Sequence, residues 1–304
     1  MGVRATTTTV RPALAGPAGA ARQVVADYVS LTKPKVQTLL LTTTVATMYV
    51  AGRPSLQTVA LTCLGGYLSA GGAGAVNHYW DRDIDARMAR TAGRPVPAGR
   101  ISPRAALWFG LALAAAAFVE LTLAVNLLAA CLALAGFVGY VGVYTMWLKR
   151  STPQNIVIGG AAGAVPPLVA WAATRGSLAP TALYLFAIIF YWTPPHFWAL
   201  SLLMRDEYAK VGVPMMPVAR GERETRRQIV LYTVLLYAVS QLPFCVGFFG
   251  GIYLVASVAL GSAFIAGSLI LYRRADRRSA LRLYLFSLLY LALLFAAMVV
   301  DVKV

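Results

Sequence analysis

The sequence predicts an all-α, polytopic membrane protein with nine transmembrane helices in one bundle, whose cytoplasmic loops cap an active site. The 304-residue chain is 59% hydrophobic but only 12% charged, about half the charged fraction of a soluble domain. Apolar runs of about 20 residues, the length that crosses a bilayer as a helix, recur along the chain. Basic residues are concentrated in every second connection between these runs. A lipid bilayer is therefore the predicted environment.

The apolar runs set the predicted domain organisation. Residues 1–30 are predicted to form a disordered N-terminal cytoplasmic tail, and residues 31–304 a transmembrane domain. The second and fifth runs are rich in glycine, which suits close contact between helices in a membrane. The nine predicted spans cover residues 36–52, 56–77, 105–125, 127–147, 154–173, 179–201, 228–249, 251–271 and 281–300.

The distribution of Lys and Arg predicts the orientation. The tail and the connections after spans two, four, six and eight hold 24 of the 27 basic residues. Cytoplasmic loops carry the Lys and Arg excess, so the N-terminus is predicted inside and the C-terminus outside. The formal net charge of +16 is explained by this topology. Nucleic acid is not a predicted partner, because no soluble domain remains to carry a binding patch.

The first cluster of acidic residues follows span two directly. If the helix continues, Asn77, Asp81 and Asp85 have the spacing i, i+4, i+8 and share one face. Asp83 points away from that face. Carboxylates combined with substrate phosphate oxygens are the ligands that Mg²⁺ prefers. A solvated helix end with local Asp–Arg pairs is the alternative, but carboxylates at a membrane boundary are costly and favour a functional role.

A second acidic cluster follows span six on the same predicted side of the membrane. Asp206 and Glu207 offer two carboxylates, with Lys210 close behind them. Two such clusters can each hold Mg²⁺ and clamp one diphosphate between them. Glu222 and Glu224 alternate with arginines and are typical of a solvated helix face.

Basic residues near the two acidic clusters are candidates for binding the diphosphate. Arginine matches phosphate oxygens with two donors and lysine binds them as a point charge. Arg90, Arg94, Lys149 and Lys210 are the candidates, and Arg94 and Lys149 are the preferred ones. The topology alone also accounts for most of these residues.

The chain has two histidines, His78 in the first acidic cluster and His196 inside span six. Pro194 and Pro195 precede His196, and this pair is predicted to break the helix and free backbone groups. With Trp198 nearby, His196 could meet a large planar ligand, since histidine is a common axial ligand of haem iron. A hydrogen-bonded structural histidine is an equally good interpretation.

The acidic loops and the nine predicted spans resemble the UbiA superfamily of intramembrane prenyltransferases. The pattern Asn77-x-x-x-Asp81-x-x-x-Asp85 indicates only the superfamily, whereas other stretches are similar to its haem-farnesylating branch. Relatives that act on quinones carry Asn-Asp in the first motif, Asp-x-x-x-Asp in the second and, in some, Tyr-x-x-x-Lys. Here His78 follows Asn77, Lys210 follows Asp206 by four, and Tyr144 precedes Lys149 by five. The similar stretches are Thr32-Lys33-Pro34, NHYWDRDIDARMART at 77–91, LKRSTPQNIVIGG at 148–160, TPPHFWALSL at 193–202 and GVPMMPV at 212–218.

This resemblance implies a reaction, a cofactor and partners. Farnesyl diphosphate is expected to bind through Mg²⁺, with metal and basic residues drawing off diphosphate to leave an allylic cation. A vinyl group of protoheme IX attacks that cation and water completes the product. The expected partners are the two substrates, the lipid bilayer and a haem A synthase or oxidase-assembly protein. The catalytic residues expected are Asn77, Asp81, Asp85, Arg94 and Lys149; the metal ligands, Asn77, Asp81, Asp85, Asp206 and Glu207; and the haem contacts, His78, His196 and Trp198.

Two other functions remain open at the level of the sequence. The same fold could prenylate an aromatic quinone precursor, although the haem-branch stretches argue against that. A divalent-cation or anion transporter is an alternative of another class. Transporters place ionisable groups near the middle of the bilayer. The acidic residues here lie at one membrane face, and only Glu120 is near the far end of a span.

Overall fold

A computed structural model describes residues 17–302, and over this range the fold is entirely helical. The rod-like helices match the predicted spans to within a few residues at most ends. In chain order the elements are α1 (Pro17–Leu31), α2 (Pro34–Ala51), α3 (Leu56–Trp80), α4 (Arg82–Arg87), α5 (Pro103–Ala124), α6 (Leu127–Val138), a π-helical segment (Gly139–Leu148), α7 (Lys149–Ser151), α8 (Asn155–Gly163), α9 (Pro166–Arg175), α10 (Pro180–Leu203), α11 (Arg205–Lys210), α12 (Met216–Ala219), α13 (Glu222–Cys245), α14 (Gly251–Arg274) and α15 (Arg277–Asp301).

Seven helical stretches within the described residues are long and apolar enough to cross a membrane. Helices α2 and α10 occupy the places of predicted spans one and six but do not reach the same mean hydropathy. The chain is thus a multi-span membrane protein, and the count of nine spans stays a prediction. The seven stretches are Leu56–Trp80, Pro103–Ala124, Leu127–Ser151, Asn155–Arg175, Glu222–Cys245, Gly251–Arg274 and Arg277–Asp301.

The long helices close into a ring. Helix α2 contacts α3, α3 contacts α5, and α5 contacts α6. Each next neighbour in the series α6, α9, α10, α13, α14 and α15 is also in contact, and α15 packs against α2. Two hydrogen bonds tie the helix ends together at one side of the ring. Glu207 accepts from the backbone N–H of Ala89 at 2.8 Å, and Arg277 donates to the carbonyl of Leu203 at 3.1 Å. The connections predicted to be cytoplasmic therefore gather at one end of the bundle.

Side-chain caps explain where several helices begin. The hydroxyl of Ser55 accepts from the N–H of Thr58 at the start of α3, and Ser102 does the same for Ala105 at the start of α5. Such a cap satisfies one of the backbone donors that a helix N-terminus leaves unpaired. The residues next to each cap therefore specify where α3 and α5 begin.

Helices α3 and α5 pack closely against each other through a pair of glycines. A Cβ atom on Gly72 would lie 2.6 Å from the carbonyl oxygen of Gly110, and one on Gly110 would lie 2.7 Å from that of Gly72. Neither position tolerates a side chain without separating the helices. The prediction that glycine serves close helix packing is confirmed here, and α3 carries the acidic residues of the site.

Helix α10 runs unbroken through Pro194 and Pro195, so the predicted break in this helix is wrong. Proline removes a backbone donor but does not by itself end a helix that neighbouring helices enclose. Both prolines are buried in the bundle. The Thr193 hydroxyl donates to the carbonyl of Ile189 at 2.8 Å, in the turn directly before the prolines.

The predicted disordered tail corresponds to two different regions. Residues 1–16 lie outside the described residues, whereas Pro17–Leu31 forms α1. Asp27 of α1 is buried and accepts a two-pronged hydrogen bond from Arg100, at 2.9–3.1 Å. The Arg100 hydrogen bond lowers the pKa of Asp27 below its usual value. This pair joins α1 to the loop that follows α4.

Candidate active site

Three polar side chains line one face where α3 passes into α4. The N–H of Asp81 bonds the carbonyl of Asn77 at 2.9 Å, and the N–H of Asp85 bonds that of Asp81 at 2.8 Å. The helical repeat therefore continues through the junction, as the sequence predicts. Asn77, Asp81 and Asp85 are no more than 3% exposed, whereas the side chain of Asp83 is 54% exposed. The Asn77 amide donates to a carboxylate oxygen of Asp81 at 2.6 Å.

Lys149 and Arg150 pair with the acids of this junction. The Lys149 ammonium group forms an ion pair with the Asp81 carboxylate. Arg150 holds both oxygens of Asp83, at 2.7 and 2.8 Å, and reaches Asp81 at 3.4 Å. These Arg150 hydrogen bonds lower the pKa of Asp83 to about 2. Asp81 thus has a partly buried basic partner, while Asp83 forms an exposed ion pair.

Asp85 has its own basic partner. Arg94 donates to the Asp85 carboxylate at 2.6 Å, and the Arg94 side chain is 26% exposed. The loop between these two residues is compact, because the Thr91 hydroxyl donates to the carbonyl of Asp85 at 2.9 Å. Both bases preferred from the sequence, Arg94 and Lys149, therefore lie on predicted metal-binding carboxylates.

A π-helical segment, Gly139–Leu148, directly precedes Lys149 and determines where its side chain lies. The N–H of Lys149 bonds the carbonyl of Tyr144, five residues earlier. A π-helix makes such i to i+5 bonds, where an α-helix makes i to i+4 bonds. The wider turn places residues five apart one above the other, so the Tyr144–Lys149 spacing that departs from relatives has a structural counterpart. Thr145 in this segment accepts from the Asn77 amide at 3.2 Å.

Lys33 is a site residue that the sequence analysis did not single out. Its ammonium group donates to the amide oxygen of Asn77 at 2.6 Å and to the hydroxyl of Tyr140 at 3.3 Å. Lys33 caps α2 with φ 55°, ψ 57°, a left-handed conformation that is uncommon without glycine. Burial, and then the charges of Arg94 and Lys149, lower the pKa of Lys33 to about 7. The available signal was a lysine directly before a helix-starting proline.

The second acidic cluster contributes one residue that reaches the first loop. Glu207 of α11 accepts from the N–H of Ala89 at 2.8 Å and from Lys210 at 3.1 Å. These hydrogen bonds, that of Lys210 first, lower the pKa of Glu207. Asp206, Arg90 and Lys210 are exposed. The structure therefore brings Glu207, rather than Asp206, to the loop that follows Asp85.

The donor set fits Mg²⁺ only in part. Over residues 17–302, no three His, Cys, Asp or Glu side chains come close enough together to hold a metal ion. The buried face of Asn77, Asp81 and Asp85 nevertheless offers amide and carboxylate oxygens, which suit this hard cation. Mg²⁺ commonly completes its shell with substrate phosphate oxygens and water. The face therefore fits a metal that a diphosphate helps to hold.

His196 lies in α10 and is packed against α15. Its ring stacks on Trp192, with centroids 4.3 Å apart, and on Tyr284, with centroids 4.8 Å apart. Nδ1 lies 2.6 Å from the hydroxyl oxygen of Ser287. Trp198 is fully buried and packs edge-on against Tyr232 of α13, away from the ring stack of His196.

His78 lies in α3 directly after Asn77 and is 2% exposed. Its Nδ1 is buried and has no hydrogen-bond partner among the described residues. His78 lies in α3, His196 lies on the side of α10 that faces α15, and Trp198 lies on the side of α10 that faces α13. The structure therefore does not bring these three residues together.

Comparison with known proteins identifies relatives over most of the chain. Residues 39–294 match the UbiA prenyltransferase family. A protoheme IX farnesyltransferase from Chloroflexus aurantiacus is 55% identical over 92% of this chain and 48% of its own length. One from Symbiobacterium thermophilum is 54% identical over 92% of this chain and 95% of its own length. The chain spans about half the length of several curated relatives that it matches.

Solved structures share the fold. A digeranylgeranylglyceryl phosphate synthase aligns over 93% of this chain and all of its own, with a TM-score of 0.77 at 18% identity. A UbiA homolog from Archaeoglobus fulgidus, solved bound to DMAPP and Mg²⁺, aligns over 90% of this chain and 99% of its own, with a TM-score of 0.62 at 17% identity. At such identities the likeness concerns the arrangement of helices alone.

Proposed function

Because this chain belongs to the UbiA prenyltransferase family, we propose that it transfers the farnesyl group of farnesyl diphosphate to a vinyl group of protoheme IX. Hydration completes the reaction, and the products are haem O and diphosphate. The observation that carries this proposal is the identity of 55% and 54%, each over 92% of the chain, to relatives named protoheme IX farnesyltransferase. The arrangement of acids and bases at the end of α3 supports the first half of the reaction.

The diphosphate binds through an exchange of partners among charged groups. Lys149 and Arg94 now neutralise Asp81 and Asp85. With a metal held by these carboxylates, Lys149 and Arg94 would be free to bind diphosphate oxygens, for which both have suitable donors. Lys33 adds a third positive group through Asn77. Arg90 and Lys210, exposed at the rim, attract the anion as it approaches.

Asn77, Asp81 and Asp85 would hold the metal, with Glu207 or Asp206 contributing from the second loop. Mg²⁺ supplies there the positive charge that offsets negative charge on the departing diphosphate. The buried position of the face strengthens every charge interaction in it, since little water screens it. Breaking the carbon–oxygen bond of the allylic diphosphate then requires no nucleophile from the protein.

The helix bundle protects the allylic cation from water until the haem vinyl group attacks. Water that arrived earlier would yield farnesol, so exclusion of bulk solvent decides the product. The residues below the acidic face are suited to this role. Ile84 and Met88 are buried in the apolar core, and Tyr144 packs against that core.

The acceptor binds near His196 in this proposal. The imidazole holds the porphyrin through its iron or through a propionate, so that the vinyl edge faces the cation. His78 and Trp198 are weaker candidates, because both are buried and at least 98% covered by protein. The bacterial plasma membrane is the proposed location, and a haem A synthase or oxidase-assembly partner stays a prediction from resemblance.

Prenylation of an aromatic quinone precursor is less well supported, since the relatives with high identity carry the haem-farnesylating name. A transporter is disfavoured because the carboxylates Asp81, Asp85 and Glu207 lie at one end of the bundle with basic partners.

Co-expression with haem synthesis tests the proposal in cells. Pigments are extracted from membranes of a host that lacks its own haem-farnesylating enzyme and are analysed by mass spectrometry. The proposal expects a new haem whose mass exceeds that of protoheme IX by one farnesyl group plus one hydroxyl group. Protoheme IX alone, at verified expression, would refute it.

A further inference from the structure

The ring of His196 is fixed in position on both faces. Trp192 stacks on it with an angle of 18° between the planes, and Tyr284 stacks with an angle of 28°. His196 lies seven residues before the end of α10 at Leu203, about 10 Å along the helix axis. The imidazole is thus a rigid group below the end of the bundle that carries the acids.

Ser287 of α15 contacts one nitrogen of this ring, and its other hydrogen bond bears on which ring nitrogen carries the proton. Its hydroxyl donates to the carbonyl of Tyr284 at 2.6 Å, one turn earlier. A hydroxyl has a single proton to donate, so the same oxygen accepts at the 2.6 Å contact with His196. This arrangement favours the tautomer in which Nδ1 carries the proton and Nε2 the lone pair.

The other ring nitrogen, Nε2, has no hydrogen-bond partner among the described residues. It is also absent from the fully covered unpaired atoms of residues 17–302. His196 as a whole is 7% exposed. A neutral imidazole with one nitrogen donating inward and the other free is the arrangement that metal-bound histidines show.

We infer that Ser287 is a positioning residue, which holds His196 in the Nδ1–H tautomer so that Nε2 coordinates the iron of the porphyrin substrate. This inference rests on the proposed function and deepens it, since it selects iron rather than a propionate. A propionate would require a donor at Nε2, which this tautomer does not offer. Trp192 supports the same arrangement, because its indole N–H donates to the carbonyl of Ser287 at 2.7 Å.

The tautomer is measurable without any haem. The chain has two histidines, so protein labelled with ¹⁵N-histidine gives two sets of ring resonances, and His196→Gln assigns them. We expect His196 to show a protonated Nδ1 and an unprotonated Nε2 in the wild type. Ser287→Ala should shift the proton toward Nε2, and Ser287→Thr, which keeps the hydroxyl, should restore the wild-type pattern. A protonated Nε2 in the wild type, or an unchanged pattern in Ser287→Ala, overturns the inference.

The matched control is Ser240→Ala. Ser240 of α13 is as fully buried as Ser287. Its hydroxyl forms a hydrogen bond of 2.9 Å with the hydroxyl of Tyr290, which lies on α15 as Ser287 does. Ser240→Ala should leave the His196 resonances unchanged, although it also removes a buried hydroxyl.

Titration with ferric protoheme IX tests the iron contact. The wild type should show the Soret shift of histidine ligation, Ser287→Ala should bind about tenfold more weakly, and Ser240→Ala should bind as the wild type does. Haem bound without a histidine-ligation spectrum overturns the inference and leaves the proposed function standing. A wild type that binds no haem overturns both, while the ¹⁵N pattern still reports the tautomer.

Discussion

Lys33 donates a hydrogen bond to Asn77 at 2.6 Å across 44 residues of chain. This contact joins the turn before α2 to the last turn of α3, and it places a cation beside the acidic face. The left-handed backbone of Lys33 is a strained conformation that persists only where its surroundings enforce it. We therefore expect Lys33 to serve the diphosphate.

Lys33→Asn removes the charge with little change in backbone preference, because asparagine tolerates the left-handed region. Turnover should fall about 10- to 100-fold, as for loss of one charge-stabilising donor, and the KM for farnesyl diphosphate should rise. Steady-state kinetics with purified protein measures both. Lys35→Asn is the matched control, since Lys35 is exposed two residues away. Equal kinetics in the two variants would remove Lys33 from the site.

The acids of the first loop should differ sharply in importance. Asp81→Asn and Asp85→Asn should each lower turnover by about 100-fold or more, because metal-based charge stabilisation is worth several kcal/mol. Asp83→Asn should have a milder effect, since Asp83 is exposed and holds Arg150. Single-turnover rates, with melting temperatures to verify folding, decide this. An Asp83 variant as inactive as the Asp81 variant would contradict the helical face.

The Asp27–Arg100 pair should make stability depend on pH. The pKa of Asp27 is lowered in the folded protein, so the pair stabilises above the ordinary pKa of aspartate, about 3.9. This contribution is lost as the pH falls through the lowered value. At pH 7, Asp27→Asn should cost about 1 kcal/mol, because Arg100 is partly exposed.

Melting curves of wild type and Asp27→Asn in detergent, from pH 7 to pH 3, test that prediction. The difference between the two proteins should shrink on acidification. A difference that stays constant would show that the ion pair contributes nothing to the stability of α1.

The membrane orientation is open to direct test. Reporter fusions after residues 95, 150, 215 and 275 should all report the cytoplasm, because basic residues concentrate in those connections. A fusion at residue 304 should report the opposite side. A cytoplasmic C-terminus would contradict the nine-span count.

The helices and the acidic face were predictable because both follow from local pattern. Apolar runs of sufficient length specify the rods, and the i, i+4 spacing of Asn77, Asp81 and Asp85 needs only a continuing helix. The exposure of Asp83 followed from the same geometry. The preferred bases, Arg94 and Lys149, could be predicted because charged residues near a carboxylate at the membrane usually have a functional role.

The remaining site residues depend on tertiary structure. Lys33 reaches Asn77 only through a left-handed turn that the residue types do not favour. The residue types before Lys149 do not predict a π-helical turn. The contact of Thr145 with Asn77 therefore could not be predicted from the sequence. The unbroken α10 shows that packing overrides the helix-breaking tendency of Pro194 and Pro195.

A competition assay between the two candidate acceptors shows which one receives the farnesyl group. Purified protein is given labelled farnesyl diphosphate and Mg²⁺ together with protoheme IX and an aromatic quinone precursor, and the products are separated by mass. We expect the label in a hydroxyethylfarnesyl haem, and none there with Asp81→Asn. Label in the prenylated aromatic compound, with the haem unchanged, would contradict the proposed function.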